Sequence, residues 1–365
     1  MIELLAVGYS VRSLARSALA AGIEVATIDA FGDRDLVEPD PSPAGHHIVA
    51  PFDPDALSAV APPSRRLAWT SNLENAPRAL RALSRAREVL GNLAEVVEQV
   101  RQPEAIAAVL DAAGLPSAPI IATATEATGR RVMRKPRSSG GGHGIARWAP
   151  GGVTSDDTYL QEEIAGVPAS MLFLADGVEV TPVGVTRQLI GEPEFGATGF
   201  TWCGNLVGPG ILPRQDEVHA SALAAARVLT AAFGLRGLNG IDFIARHGEA
   251  VVIEVNPRWT ASVELFERAQ GQSLFPAHVL GSQGALTAVD REPDAVFGKA
   301  VIHATRERTI GDTDAWLDDP DVRDIPRSGS VIPAGAPICS VFARAGDAEG
   351  CAAALARTAA VVRVA

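Results

Sequence analysis

Lysine is nearly absent from this sequence. Of the 32 basic residues in 365 positions, only Lys135 and Lys299 are lysine. Cysteine is almost as scarce: Cys203, Cys339 and Cys351 show neither metal-ligand spacing nor a disulfide framework, which points to a reducing cytoplasm. Positive charge is in deficit. A formal net charge of −11 argues against nucleic acid and against an anionic membrane as partner. Long apolar runs are missing too, none approaching the roughly 20 residues of a membrane span. The opening Ile2-Glu3-Leu4-Leu5-Ala6-Val7 reads as a buried strand, not as a basic-then-apolar leader. Internal repeats and low-complexity tracts are also lacking. The apolar content of 47% is enough for two or three domain cores.

One of the two lysines opens Arg134-Lys135-Pro136-Arg137-Ser138-Ser139-Gly140-Gly141-Gly142-His143-Gly144-Ile145. Glycines let backbone N–H groups turn toward an anion, and an adjacent ammonium adds a compact mobile charge. A polyphosphate is the natural client. About a hundred residues later, Ile241–Ala245 and Ala250–Asn256 read as two strands around the turn Arg246-His247-Gly248-Glu249. Alternation along a strand puts Glu254 and Asn256 on one face, with Asp242 of the partner strand beside them. Two carboxylates and an amide carbonyl form an all-oxygen set that suits hard Mg²⁺.

The glycine loop with its lysine, followed by Asp242 and then Glu254-Val255-Asn256-Pro257-Arg258, resembles the ATP-grasp superfamily. The closer likeness is to its carboxylate–amine ligase and biotin-carboxylase-like branch, including proteins of the tyramine–glutamate ligase type. That resemblance covers nearly the whole chain. It implies an α/β (α+β ATP-grasp) fold with three parts: a Rossmann-like domain over 1–105, a two-lobed ATP-grasp domain over 106–290 with its small lobe at about 118–174, and a small C-terminal β-rich domain over 291–365. It further implies ATP, with Lys135, Ser138, Ser139, Gly140, Gly141 and Gly142 on the phosphates and Gln161, Glu162 and Ile164 on the adenine edge. One or two Mg²⁺ (or Mn²⁺) ions fall to Asp242, Glu254 and Asn256. Arg258 becomes the residue that steadies phosphate or an acyl phosphate, and Lys135 shares that catalytic role. Two departures stand out. Pro168 occupies the place of a ribose-binding glutamate, and Arg101 that of a second phosphate-binding lysine.

The activity implied is amide formation between a small-molecule carboxylate and an amine through an acyl phosphate, with a hint of one-carbon carrier cofactors of the methanofuran or methanopterin type. Activation of bicarbonate, as in carboxylases, is the alternative, and a non-catalytic nucleotide-binding module a third. A second copy of the chain is an admissible partner. Elsewhere, Gly8-Tyr9-Ser10-Val11-Arg12-Ser13 lacks the glycines of a dinucleotide fingerprint, although Asp29 lies where that fingerprint wants an acid. Thr70-Ser71-Asn72-Leu73-Glu74-Asn75 is a candidate substrate loop, with a helix cap as the competing explanation. Arg187, Thr198, Gly199, Phe200 and Trp202 are cleft candidates, the two aromatics reading more readily as packing. By the same resemblance Ser262 and Glu264 are candidates near the acceptor carboxylate, with a helix start as the competing explanation. His303 reads as a satisfied core histidine and Lys299 as a surface lysine.

Overall fold

The computed structural model describes residues 2–123, 125–149, 151–152, 154–289 and 293–364. Its first sheet is parallel throughout: β1 (Ile2–Val7), β2 (Val25–Asp29), β3 (Gly45–Ile48), β4 (Ser64–Trp69) and β5 (Glu88–Leu90) lie in the order β3-β2-β1-β4-β5. Parallel pairs need crossovers, and helices such as Arg12–Ala20 and Pro77–Ser84 supply them. Leu4, Leu5, Val7, Ile28 and Leu67 are fully buried, as expected of strands covered on both faces. Asp29 has a local task. Its Oδ1 accepts from the Gly32 N–H at 3.0 Å and ties the turn after β2.

Next comes a small antiparallel sheet, β6 (Ile120–Ile121), β7 (Val132–Pro136), β8 (Ala146–Arg147) and β9 (Thr158–Glu162), ordered β6-β9-β7-β8. Its core is slight: Ile121, Ala127, Val132 and Leu160.

The largest sheet has eight strands. It takes in β10 (Val167–Asp176), β11 (Val180–Ile190), β12 (Trp202–Val207), β13 (Arg236–Arg246), β14 (Glu249–Asn256) and β15 (Val296–His303). After β15, β16 (Arg308–Thr309) pairs only with β18 (Val331–Ile332), while β17 (Val322–Arg323) and β19 (Pro337–Ala345) rejoin the sheet. The order is β14-β13-β10-β11-β12-β15-β19-β17. The strands after residue 290 thus continue the large sheet through β15, which pairs with β12. The boundary expected at 290–291 falls outside the described residues.

The β13–β14 hairpin turns on His247 (φ +53°) and Gly248 (φ +88°), the two left-handed residues of a type I′ turn. Helix Gln215–Phe233 packs Val218, Ala222, Ala225 and Leu229 into the core and stops at Gly234, φ +69°. The last helix, Ala348–Val364, buries Cys351 and Leu355 against Gly298 of β15, where any side chain would strike both. All three cysteines are free and buried. No helix among the described residues is long and apolar enough to cross a membrane.

Candidate active site

A cavity of about 770 Å³ opens where the three sheets meet, within the size range of ligand clefts. The acidic hairpin forms one wall. Asp242 and Glu254 are direct register partners, and the pairing shifts just after them, so that Phe243 faces Val252. That bulge breaks the strand alternation and lets Ile253 and Glu254 both reach the cavity. Asn256 donates from Nδ2 to Asp242 Oδ2 at 3.1 Å. Burial, then the charge of Glu254, pushes Asp242 up to about 8. Burial also works to raise Glu254, but the charges of Lys135, Arg101 and Arg258 outweigh it and hold that acid below its ordinary value. Two buried carboxylates facing each other oppose each other's ionisation. Their oxygens and the Asn256 carbonyl fit a hard divalent ion completed by water or phosphate. Among the described residues no trio of His, Cys, Asp and Glu forms a closed metal cage.

Opposite the hairpin lies the lysine. Lys135, on β7, is 4% exposed and donates to Gln161 Oε1 at 3.1 Å, its ammonium 5.8 Å from the Tyr159 ring centroid. The glycine loop that follows is docked onto the large sheet. The Trp202 N–H donates to the Gly141 carbonyl at 3.0 Å, and a Cβ on Gly142 (φ +81°) would lie 1.8 Å from the Phe200 carbonyl oxygen. Glycine is required there by both conformation and space. Arg101 anchors the loop from the other side, donating from one terminal nitrogen to the Arg137 and Ser139 carbonyls, each at 3.1 Å. Its Nε is buried without a hydrogen-bond partner among the described residues.

Arg258, two residues past Asn256, is held rigidly. Its Nε donates to Glu74 Oε1 at 2.7 Å and one terminal nitrogen to Asn256 Oδ1 at 3.1 Å. Glu74 is 3% exposed, and its Oε2 has no partner. This acid comes from the loop after β4, where Thr70, Ser71 and Asn72 also line the cavity. No side chain caps the short turn Leu73–Asn75, which removes the helix-cap explanation of that loop.

Lys135, Ser139, Gly140, Gly141, Gly142, Glu162, Ile164, Asp242, Glu254, Asn256 and Arg258 all line this one cavity. Ser138 and Gln161 do not. Gln161 turns inward, its amide donating to the Ala118 carbonyl at 3.4 Å while its oxygen receives Lys135, so it positions the lysine. Pro168 does line the cavity and offers it no carboxylate. Arg187 is exposed and faces away, whereas its strand neighbour Gln188 reaches the Asp242 carboxylate. Thr198 is exposed and off the wall; Gly199, Phe200 and Trp202 are on it.

Three expectations need correction. Lys299 is not a surface residue: it is 5% exposed and donates to Glu264 at 3.0 Å. Glu264 does stand in the first turn of helix Val263–Gln270, but that is not its whole task, because both its oxygens bind the Arg12 guanidinium at 2.8 and 2.6 Å. Ser262 makes no cap bond; its hydroxyl pairs with that of Thr260 at 2.8 Å. His303 is buried as expected, but its Nδ1 has no hydrogen-bond partner among the described residues. Sequence reasoning also missed Tyr159, Gln188 and Asp33 as lining residues, since nothing in their local pattern marks them.

These elements make a mixed α/β ATP-grasp fold. Residues 105–262 match the family model described as an ATP-grasp domain. Over 113 residues, 31% of this chain, the sequence is 32% identical to an uncharacterised protein of Methanocaldococcus jannaschii. That stretch is 27% of the relative's own length, and the match to a carbamoyl phosphate synthase large chain spans 9% of it, so the chain covers a minor part of the curated relatives it matches. Solved structures resemble it along almost its whole length. The biotin carboxylase–β,γ-ATP complex from Campylobacter jejuni superimposes with a TM-score of 0.73 at 14% identity, covering 97% of this chain and 90% of that one. The biotin carboxylase domain of the Hydrogenobacter thermophilus 2-oxoglutarate carboxylase, solved with MgADP and bicarbonate, gives 0.69 at 16% identity, covering 95% and 87%.

Proposed function

We propose that this protein is an ATP-dependent carboxylate–amine ligase working through an acyl phosphate. One observation carries the proposal: the Lys135 side chain, the docked glycine loop, the Asp242–Glu254–Asn256 set and Arg258 all face a single cavity. Asp242, Glu254 and Asn256 would hold a divalent cation, which would supply charge neutralisation to the phosphates of ATP. The wall of Met133, Ile164, Ala165 and Pro168 suits a flat apolar base, and Lys135 and Arg101 face the phosphates. A substrate carboxylate oxygen bonds to the γ-phosphorus as ADP leaves. The amine nitrogen then bonds to the acyl carbon, phosphate leaves and the nitrogen loses its proton. Positioned cations suffice for both steps, without a covalent nucleophile on the protein. Arg258, immobilised by Glu74 and Asn256, is placed to hold the transferred phosphoryl group. The acidic side chains at the far end favour an organic substrate over bicarbonate alone. The one-carbon-carrier assignment rests on family likeness, and no residue of the site bears on it.

The test is a panel of amino acids and small amines scored for ADP release, with mass detection of the product. Lys135→Ala and Glu254→Ala are expected to lose about 100-fold or more in rate with the fold retained. Wild-type turnover in either variant contradicts the assignment. ADP release driven by bicarbonate with no organic acid present transfers the protein to the carboxylase class.

A further inference from the structure

Beyond the phosphate end, the cavity runs to the edge of the parallel sheet, where Tyr9, Phe31, Asp33 and Asp324 line it. Two cations, Arg12 and Lys299, form ion pairs with Asp35, Glu264 and Asp324, on which Arg16 and Arg268 also act from outside the cavity lining, while Asp33 has no ion pair among the described residues. Glu264 takes the two terminal nitrogens of Arg12 and also Lys299 at 3.0 Å. Asp324 accepts from Arg12 Nε at 2.6 Å and from the Ser340 hydroxyl, with Lys299 at 3.8 Å. Asp35 accepts the backbone N–H groups of Ile325 at 2.9 Å and Asp324 at 3.2 Å. Both cations are therefore used up.

Asp33 is left over. It is 5% exposed, its Oδ2 is buried with no hydrogen-bond partner among the described residues, and its side chain does not cap the following helical turn Arg34–Val37. A buried carboxylate with no donor is costly unless a ligand completes it. Burial and the neighbours Asp324, Asp35 and Asp29 push this acid well above its ordinary range. Two aromatic rings stand on the same wall. Tyr9 and Phe31 meet edge-to-face at 5.0 Å, and Phe31 remains 36% exposed. An acid beside accessible ring faces is the chemistry that recognises an ammonium group.

We propose that this end of the cavity is a subsite for a substrate ammonium, with Asp33 as its counter-ion and Phe31 and Tyr9 as its apolar collar. The inference deepens the ligase proposal and rests on it for the identity of the ligand. The amine substrate carries a second, non-reacting amino group and belongs to the diamines or basic amino acids. A carboxylate is disfavoured here, because the local cations are sealed by the protein's own acids. Arg101, whose Nε has no hydrogen-bond partner among the described residues, lies at the phosphate end.

The experiment is calorimetric binding to the full chain in Mg·ADP, using matched probes: lysine against norleucine, ornithine against norvaline, and 1,4-diaminobutane against butylamine. The wild type is expected to favour the dicationic member of at least one pair by roughly tenfold or more. Asp33→Asn should abolish that preference while leaving Mg·ADP affinity unchanged, and should raise Tm by relieving the unpaired acid. A purely structural Asp33 would lower Tm instead. Phe31→Leu, a second variant that keeps the acid, should weaken the preference about threefold. No preference in any pair, or one that survives Asp33→Asn, overturns the subsite. The two proposals fail separately. Dication-selective binding without ADP release from any probe removes the ligase and keeps the subsite, whereas ADP release that is indifferent to the second amino group removes the subsite and keeps the ligase.

Discussion

Gly142→Ala isolates the glycine loop. The new Cβ would lie 1.8 Å from a main-chain carbonyl oxygen, that of Phe200, which cannot swing aside as a side chain can. The φ of +81° adds about 1–2 kcal/mol of strain for an L-residue. Undocking the loop relieves both, at the loss of the Trp202 N–H to Gly141 carbonyl bond, worth about 0.5–1.5 kcal/mol. The strain alone should therefore cost the docked loop about 1–2 kcal/mol relative to the open one, or roughly 5- to 30-fold in population, and the clash adds to that. If the docked loop covers the phosphates, Mg·ATP affinity falls by that factor, measured by calorimetry. Gly129→Ala is the control, with a similar φ of +78° and nothing within 4 Å of its Cβ. It carries the strain without the clash and should leave nucleotide affinity unchanged. Equal affinities for wild type and Gly142→Ala would refute the reasoning.

Other outcomes follow from the same geometry. Glu74→Gln removes the charge that fixes Arg258, and its effect should fall on kcat, by about 10- to 100-fold, with ATP affinity spared; an unchanged kcat removes the positioning role. His278 accepts the Leu238 N–H at Nδ1, 2.9 Å away, and burial depresses it to about 4. A base so depressed takes up its proton on unfolding between its ordinary value near 6.5 and 4. Its contribution is therefore complete above about pH 6.5 and is lost as the pH falls through 4, by up to about 3 kcal/mol. His278→Gln should flatten this part of a Tm-against-pH curve, and an unaltered acid limb shows that another group is responsible.

Much of this was legible in the sequence, for identifiable physical reasons. The β1 strand is apolar but for Glu3, and in the β13–β14 hairpin Asp242 and Glu254 stand out because they are the one charged residue each of 237–245 and 250–256. The glycine loop was legible because glycine clusters have few uses. What failed was information carried between distant segments. Lys299 and Glu264 look like surface residues until helix Arg12–Ala20 brings Arg12 onto Glu264, 252 residues away in sequence. Strand phase is a second case: Gln161 turns into the protein, and Gln188, not its neighbour Arg187, reaches Asp242. The C-terminal strands were visible, but their pairing with β12 through β15 depends on register that no local pattern encodes.

The measurement that bears most directly on the account is ATP affinity with and without Mg²⁺, in wild type and in Glu254→Ala. A shared cation between the acidic hairpin and the phosphates predicts that Mg²⁺ tightens wild-type binding at least tenfold and that Glu254→Ala erases this increment. An affinity indifferent to Mg²⁺ in the wild type, or an increment that persists in the variant, would mean that hairpin and loop do not hold the same nucleotide.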